Sequence, residues 1–282
     1  MNIVPTLRKR RVQAIASVAV LALALAACGS DSDSGGSEDK AKAAGITLVK
    51  PGKLTVCTHL PYKPFQYKDG TKVVGFDVDL LDLVAQDLGL EQDVVNIEWS
   101  QVTSGAAFKA KKCDMGMGAM TITPERQAAI SITAPYMDAT QVLMAKKDSG
   151  IKTLADLKGK KLGAQADTTG KKYADENAKA NGYTVIPFND LALQTNNVKS
   201  GRVDAAINDN GVLYDYAEQN PDTEVTAEFD TGEEYGFAVA KDGNDALLDT
   251  VNEVLEKAKS DGTYEKIFRK YFPDAELPDF VN

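Results

Sequence analysis

Histidine and tryptophan each occur once in this 282-residue sequence, and cysteine occurs three times. A Ser-His-Asp triad, or a metal centre of clustered His and Cys ligands, needs side chains at spacings that the sequence does not offer. A Gly-rich nucleotide-binding loop is also missing. These absences exclude the commonest hydrolytic, metal-dependent and nucleotide-dependent sites. We therefore expect no metal, no cofactor and no catalytic residues.

Positive charge is scarce as well. The chain has 32 Lys and Arg residues against 41 Asp and Glu residues, a formal net charge of −9. The first 27 residues hold four basic residues and no acid, so the chain without them carries a formal charge of −13. Because nucleic-acid binding needs clustered Lys and Arg to neutralise phosphates, this balance argues against a nucleic-acid partner.

The apolar run near the N-terminus falls short of the roughly 20 residues that span a bilayer comfortably. It follows a basic cluster, Arg8 to Arg11, and ends at Ala27 and Cys28 in LRKRRVQAIASVAVLALALAAC. This layout is typical of a secretory signal, which we assign to residues 1–27. The sequence LAAC resembles the lipobox of bacterial lipoproteins, which implies cleavage before Cys28 and its lipidation. An ordinary signal or anchor helix that contains a cysteine is the alternative.

The next segment, GSDSDSGGSEDKAKAAG, has no aromatic and no branched apolar residue. Such a chain cannot bury a core and stays flexible. Together with the lipidated Cys28 it forms a predicted acidic linker, residues 28–45, that ties a lipid anchor to a folded body. We therefore expect an exported protein that is lipid-anchored to the outer face of the cell membrane.

Two cysteines, Cys57 and Cys113, remain in the body of the chain. In an exported protein an even pair is consistent with a disulfide bond. Two buried thiols are the other interpretation, since free cysteine is often buried. The sequence leaves both open, because the distance between the two residues decides.

From about Ile46, strand-like and helix-like segments alternate. Leu80, Val84 and Leu88 recur at four-residue spacing before Gly89, which indicates a helix after the strand KLTVCTHL. Further along, KKLGAQ, YTVIPF and RVDAAIND are strand-like, with helical segments between them. Alternating strands and helices predict an α/β fold, and roughly 235 residues suffice for two lobes. Each lobe should have a mainly parallel sheet flanked by helices.

Two segments of the chain echo each other. AKKCDMGMGAMT and SGRVDAAINDNG each follow a predicted helix and run from basic residues through an Asp to a series of small residues. The repeat is weak by itself. Two related lobes would show it, each with a strand whose carboxyl end faces a shared crevice.

Polar groups follow three predicted strands, at the ends where open α/β sheets bind ligands. Thr121 and Arg126 come after the strand that ends near Met120. The segment QADTTG, residues 165–170, leads into a helix whose first N–H groups can bind an anion. Asp209 ends the strand RVDAAIND.

Arg126 lies in the first turn of a predicted helix that Thr123 caps and Pro124 begins. A cation is unfavourable there by roughly 0.3–1 kcal/mol at an exposed site. A bound carboxylate would reverse the sign, because the guanidinium and the helix N-terminus both favour it. With Asp209 as acceptor for an ammonium group, the set suits a zwitterion such as a free α-amino acid. Taken singly, a surface arginine and a helix N-cap are the alternatives.

Three segments, YKPFQYKDGTKVVGFDVDLLDLVAQDLG, GAMTITPER and YGFAVAK, resemble the polar amino-acid binding proteins of ABC importers. That family has the type II periplasmic-binding fold, in which two hinge strands join the lobes. The resemblance runs from about Lys53 to Phe272. It implies that Arg126 binds the ligand carboxylate, that Thr121 contacts the ligand, and that Asp209 receives the ligand ammonium.

The same resemblance implies further contacts. Backbone groups at Gly118, Thr168 and Thr169 would complete the hydrogen bonds of the ligand. Tyr62 and Trp99 would form aromatic walls around its side chain. Core positions are the alternative for both aromatic residues.

The chain departs from the family pattern at several positions. Asp167 stands where the family usually has Gly, and Ala119 replaces a common Gly. His59 occupies a position that often contacts the ligand side chain, with a surface histidine as the alternative. Without an acid there, a lysine or arginine ligand is less favoured unless Asp or Glu elsewhere compensates. Gln165 and Asn208 are further candidate polar contacts.

We expect closure of two lobes around the ligand, without a covalent step. Lobe 1 is predicted to comprise residues 46–140 and 238–282, and lobe 2 residues 141–237. The predicted crossings between the lobes lie near Gln141–Leu143 and Gly236–Phe237.

The sequence thus predicts a monomeric solute-binding lipoprotein, not an enzyme, that delivers a polar amino acid to an ABC permease. An enzyme on the same scaffold, similar to cyclic dehydratases, is one alternative, and it would need a general acid such as Glu233 in the pocket. A sensor or adhesion lipoprotein is the other.

Overall fold

The computed structural model describes residues 40–281. The predicted signal peptide, Cys28 and the linker up to residue 39 lie outside the described residues. Within residues 40–281, no helix has both the length and the apolar character needed to cross a membrane.

The ordered body begins earlier than the predicted linker end at residue 45. Residues 40–43 are helical. Ala41 is buried and belongs to the main apolar core, and Lys40 pairs with Asp87. An alanine that packs on the body and a lysine with an acidic partner fix a segment that its composition alone marks as flexible.

The secondary structure alternates as the sequence pattern predicts. The strands are β1 Lys53–Thr58, β2 Tyr67–Asp69, β3 Lys72–Val74, β4 Glu91–Asn96, β5 Met115–Gly116, β6 Ile130–Ile132, β7 Met137–Lys146, β8 Lys161–Gln165, β9 Thr184–Phe188, β10 Ala205–Asp209, β11 Thr223–Tyr235 and β12 Ala238–Ala240. The α-helices are α1 Phe76–Asp87, α2 Trp99–Thr103, α3 Ala106–Lys109, α4 Pro124–Ala129, α5 Thr169–Asn181, α6 Leu191–Ser200, α7 Asn210–Gln219, α8 Asp245–Ser260 and α9 Thr263–Tyr271. Short 3₁₀ helices span Leu154–Leu157 and Asp279–Val281.

These elements build two five-stranded sheets with the same topology. The first sheet has the order β4-β1-β5-β12-β6 and the second the order β9-β8-β10-β7-β11. In both orders the first two pairings are parallel and the last two are antiparallel. One strand in each sheet therefore runs against the other four, which confirms the predicted α/β fold with mainly parallel sheets.

The sequence echo has a structural basis. Its two segments contain β5 and β10, and each of these strands is the middle strand of its sheet. Small residues suit a central position, because helices cover both faces of such a sheet. The carboxyl ends of β5 and β10 bring the loops that follow them to the space between the lobes.

Helix α1 shows why the first lobe is stable. Its buried face includes Leu80, Leu81 and Val84, the positions that the periodicity predicts. Phe76 at its start packs against the C-terminal helix α9 and the residue after it, with its ring centroid 6.0 Å from that of Phe268 and 5.3 Å from that of Phe272. The C-terminal segment of the chain thus returns to complete the core of the first lobe.

The crossings between the sheets differ in part from the prediction. Gln141–Leu143 lies inside β7, where Gln141 pairs with Asp209 of β10. The chain leaves the first sheet after β6 and enters the second at Met137, so the first crossing is at residues 133–136. The pairing of β7 with β11 continues to Tyr235, and this extension moves the predicted boundary at residue 141 towards the N-terminus. The second crossing, Gly236–Phe237, separates β11 from β12.

Cys57 of β1 and Cys113, just before β5, are joined by a disulfide bond, and both are buried. Their Cα atoms are 5.7 Å apart. The bond links β1 to the segment just before β5, its neighbour in the first sheet.

We predict that replacing both cysteines by alanine lowers the free energy of unfolding by about 4 kcal/mol, because the bond closes a long loop in the unfolded chain. The two cysteines are 56 positions apart. Urea unfolding of the oxidised protein, the reduced protein and the double variant measures this. Reduced wild type should match the variant. Equal midpoints for all three samples would contradict the prediction.

Candidate ligand-binding site

A polar cleft lies where loops from the two lobes meet. Most of the predicted site residues surround it, together with Gln66 and Ala119. The lining residues are His59, Tyr62, Gln66, Trp99, Gly118, Ala119, Thr121, Arg126, Gln165, Thr168, Thr169 and Asp209. The structure therefore gathers residues separated by up to 150 positions around one small space.

Arg126 is buried rather than solvated, with 9% of its surface exposed. Thr123 caps helix α4 by accepting a hydrogen bond from the Arg126 backbone N–H at 3.2 Å. The guanidinium turns into the cleft, where Nη1 donates to the Thr121 carbonyl at 2.8 Å and Nη2 to the Asp167 carbonyl of the other lobe at 3.1 Å. The Trp99 ring centroid lies 5.7 Å from its Cζ, within the range of a cation–π contact. Burial lowers the pKa of Arg126, and Asp209 and Glu233 oppose this shift.

The loop between β8 and α5 presents a helix N-terminus to the same space. Thr168 is the N-cap, and its hydroxyl accepts from the Lys171 N–H at 3.1 Å. Asp167, where the resemblance leads us to expect Gly, has a left-handed φ of 60°. Asp tolerates this region better than most residues. The loop therefore keeps the backbone shape that a glycine would adopt, and its carbonyl accepts from Arg126.

Asp209 ends β10 and occupies the N-cap position of α7, but its side chain makes no capping hydrogen bond. Its carboxylate turns to the cleft instead. Gln141 Nε2 lies 2.6 Å from Oδ1, and the Tyr62 hydroxyl of the other lobe lies 2.7 Å from Oδ2. Burial, followed by the nearby Glu233, raises the pKa of Asp209 to about 6. A buried carboxylate held by neutral donors is a site where an ammonium group would bind favourably.

Glu233 of β11 reaches the same cluster, although the sequence suggested it only as a possible catalytic acid. Its Oε2 accepts from the hydroxyls of Thr121 and Thr169, each at 2.9 Å, and from Gln141 Nε2 at 3.1 Å. Alternation along β11 could have revealed it. Glu233 shares a strand face with the buried Tyr235, whereas Glu234 is exposed.

Gly118 can offer a ligand only its carbonyl group, because its N–H is already used. Asp77 Oδ2 accepts from the N–H groups of Gly118 at 3.0 Å and Ala119 at 2.9 Å. Gly118 has a φ of 152°, and a Cβ there would lie 2.7 Å from the Trp99 ring. Burial raises the pKa of Asp77 to about 7. The sequence could have indicated the buried position of Asp77, because this acid lies on the apolar face of α1, three positions before Leu80.

Acceptor atoms gather at the end of the cleft near His59. His59 Nδ1 lies 2.8 Å from the Ile97 carbonyl, so Nδ1 carries a proton and Nε2 of the neutral ring is an acceptor. Among residues 40–281, neither His59 Nε2 nor the buried Gln66 Oε1 has a hydrogen-bond partner. Both residues line the cleft. A ligand group that donates N–H bonds would fit there.

Asn208 is the one predicted site residue outside the cleft lining. Its Nδ2 donates to Gln194 Oε1 at 2.8 Å and lies 3.3 Å from Gln165 Oε1. Its Oδ1 accepts from the Asp209 N–H at 2.9 Å and lies 2.8 Å from the Tyr62 hydroxyl, whose one proton is shared between this contact and the contact with Asp209 Oδ2. These partners use up its polar atoms, so Asn208 orients Gln165 and Tyr62 rather than facing a ligand.

The lobes are closed in this structure. The cleft has a volume of about 20 Å³, room for a water molecule rather than an amino acid. Contacts between the lobes, from Arg126 to Asp167 and from Tyr62 to Asp209, join groups of opposite polarity across it. Within residues 40–281, no cluster of His, Cys, Asp and Glu is arranged to hold a metal ion.

Two α/β lobes of equal topology that close over a charged cleft define a binding protein of the two-lobed type. The chain belongs to the bacterial extracellular solute-binding proteins, family 3, whose family model matches residues 54–274. This confirms the resemblance seen in the sequence. Membership of an extracellular family also agrees with the predicted export.

Named relatives support a binding role. The chain is 34% identical over 221 residues to the arginine-binding extracellular protein ArtP of Bacillus subtilis (strain 168), covering 78% of this chain and 86% of the relative. It is 35% identical over 205 residues to the ABC transporter glutamine-binding protein GlnH of the same organism, covering 72% and 74%. These relatives are transport binding proteins, which confirms the expectation of a non-enzymatic protein.

Solved structures agree. An ancestral arginine-binding protein bound to arginine has 39% identity and a TM-score of 0.73, covering 78% of this chain and 98% of that one. An ancestral amino-acid-binding protein described as a precursor of cyclohexadienyl dehydratase has 36% identity and a TM-score of 0.71, covering 78% and 95%. The enzyme alternative rested on a similarity to cyclic dehydratases. This solved relative of such an enzyme is itself described as an amino-acid-binding protein.

We predict that Asp209 makes the protein less stable as the pH rises. Its pKa is raised from 3.8 to about 6, so the folded protein holds a proton in this interval that the unfolded chain has lost. Its contribution is therefore present below pH 4 and lost as the pH passes 6. Thermal unfolding between pH 4 and 7 should show the wild type losing stability relative to Asp209→Asn. The exposed control Asp242→Asn should follow the wild type, and parallel curves for Asp209→Asn and wild type would refute the prediction.

Proposed function

We propose that this chain is a lipid-anchored receptor that captures a polar L-amino acid between its lobes and delivers it to an ABC importer. The observation that carries the proposal is that a buried cation, Arg126, and a buried acid, Asp209, line the same cleft from opposite lobes. Relatives of this chain that are named as arginine- or glutamine-binding proteins support the proposed function.

Both ends of a free amino acid have a partner in this arrangement. Arg126 offers a planar fork to the carboxylate, and the N-terminus of α5 adds backbone N–H groups. Asp209 and the Gly118 carbonyl offer acceptors to the ammonium. Entry of the ligand requires the lobes to open and the contacts from Arg126 to Asp167 and from Tyr62 to Asp209 to separate. The ligand then stabilises the closed form, because it contacts both lobes only when they meet.

The ligand side chain would extend towards His59 and Gln66. The free acceptors there favour a side chain that donates N–H bonds, such as the guanidinium of arginine or the carboxamide of glutamine. Position 59 is not an acid, and the acceptor atoms of His59 and Gln66 are uncharged. These two residues therefore do not by themselves discriminate between arginine and glutamine as the ligand. Relatives named for arginine, glutamine and histidine fit this group of ligands.

The proposed membrane attachment is supported by the lipobox-like sequence that ends at Cys28. Residues 1–27 act as the signal, lipidation at Cys28 holds the protein on the outer face of the membrane, and the acidic linker lets the lobes reach the permease. The receptor works as a monomer, since the cleft takes groups from both lobes of one chain.

A thermal-shift panel of the twenty L-amino acids and cystine, on protein beginning at residue 40, tests the proposed function. Arginine or glutamine should give the largest rise in melting temperature, because binding to the folded state alone stabilises it. Mass spectrometry after incubation should recover the ligand unchanged. Absence of any shift would reject the proposal, and a new product would favour the enzyme alternative.

The role of Arg126 has a separate test. Arg126→Met should weaken binding of the amino acid by about 100-fold or more, because a buried carboxylate would lose its charged partner. Arg126→Lys should weaken it by about tenfold, because lysine keeps the charge but not the fork. Calorimetric titration measures both, with exposed Arg202→Met as the matched control. If Arg126→Met bound the amino acid with the affinity of the wild type, Arg126 would not be a ligand-binding residue.

A further inference from the structure

Glu233 is a buried acid that does not line the cleft itself but contacts Thr121 and Thr169, which do. Three donors converge on its Oε2: the hydroxyls of Thr121 and Thr169 at 2.9 Å and Gln141 Nε2 at 3.1 Å. An oxygen on which three donors converge acts as the acceptor in all three contacts. Among the described residues, no lysine or arginine nitrogen lies within 4.0 Å of the Glu233 carboxylate, although its charge opposes, from a greater distance, the lowering of the Arg126 pKa by burial.

The two threonine hydroxyls have only two protons between them. They make three close contacts: each approaches Glu233 at 2.9 Å, and they lie 3.2 Å from one another. Whichever two contacts carry the protons, none is left to point into the cleft. A hydroxyl without a free proton can only accept a hydrogen bond.

The two threonines come from opposite lobes. Thr121 follows β5 in the first lobe, and Thr169 begins α5 in the second. Both line the cleft. Gln141 Nε2 donates to Asp209 as well as to Glu233, so the two acids and the two hydroxyls form one connected group.

We propose that Glu233 is a positioning residue that fixes the Thr121 and Thr169 hydroxyls as acceptors and so makes this part of the cleft specific for the ammonium group of the ligand. The inference rests on the proposed function. An ammonium has three N–H donors and no acceptor, and it is the end of an amino acid that matches a group of acceptors. The same hydroxyls would be poor partners for the carboxylate, which is left to Arg126 and the backbone N–H groups.

Glu233→Gln is the test variant, because glutamine has nearly the same shape but can turn its amide to donate to the hydroxyls. This would release their protons into the cleft. Glu234→Gln is the matched control, since Glu234 is the exposed neighbour on the same strand. Affinities for L-arginine and L-glutamine are compared with those for their amine-free analogues, guanidinovaleric acid and glutaramic acid, by calorimetric titration at neutral pH.

Glu233→Gln should weaken binding of the amino acid by about tenfold or more, the size expected for hydrogen bonds to a charged group. Binding of the amine-free analogue should change by less than about threefold. Equal losses for both compounds, or no loss for the amino acid, would overturn the proposal and leave Glu233 a structural residue. If the wild type binds none of the twenty amino acids, the proposed function fails and this inference with it.

A folding defect in Glu233→Gln would be visible in its melting curve. In that case Thr169→Val provides the same comparison, because it removes one of the two acceptors and keeps the branched shape of the side chain. Weaker binding of the amino acid with unchanged binding of the amine-free analogue would support the proposal. Retention of both in Thr169→Val would overturn it.

Discussion

Opposite charges held out of water across one narrow cleft are the constraint on which this structure depends. Arg126 on the first lobe, and Asp209 with Glu233 on the second and its connecting strand, are each largely buried. Burial of a lone charge is costly, so each group needs partners whether the cleft holds a ligand or not. In the closed form, carbonyl oxygens surround the arginine, and hydroxyl and amide donors surround the acids.

This arrangement explains why a small ligand can control two large lobes. Contacts between the lobes are made by Arg126 and Asp209, and the same two side chains would bind the two ends of an amino acid. The ligand therefore replaces contacts that already exist, and does not add to an apolar interface. Only the difference between the two sets of contacts contributes to affinity.

Much of this could be predicted from the sequence. The periodicity of α1, the alternation of strands and helices and the echo between β5 and β10 indicate the fold, because local pattern and burial agree in them. Arg126 stood out as a cation at the wrong end of a helix. The first crossing was misplaced, because β7 is lengthened by pairing with a strand more than eighty positions away, which no local pattern reports.

The sequence did not point to Asp77 or Gln141 as site residues and named Glu233 only as a possible general acid, and these three cases share a cause. Asp77, Gln141 and Glu233 are buried polar groups whose partners are distant in sequence, and each looks ordinary beside its own neighbours. Only the orientation of a helix or strand face marks them, as with Asp77 on the stripe of α1. Asn208 is the converse case: its position beside Asp209 suggested a ligand contact, but its polar atoms are taken by Gln194, Gln165 and Tyr62.

The two crossings lie side by side, because β7 and β11 pair as an antiparallel ribbon up to Met137 and Tyr235. The crossings are therefore the part of the chain where a change in the angle between the lobes can be absorbed. Opening of the cleft would then be a hinge rotation of one lobe relative to the other about these two neighbouring segments. Under the proposed function, the angle between the lobes would differ between the free and the ligand-bound protein, and a permease that contacts both lobes could distinguish the two forms without contacting the amino acid.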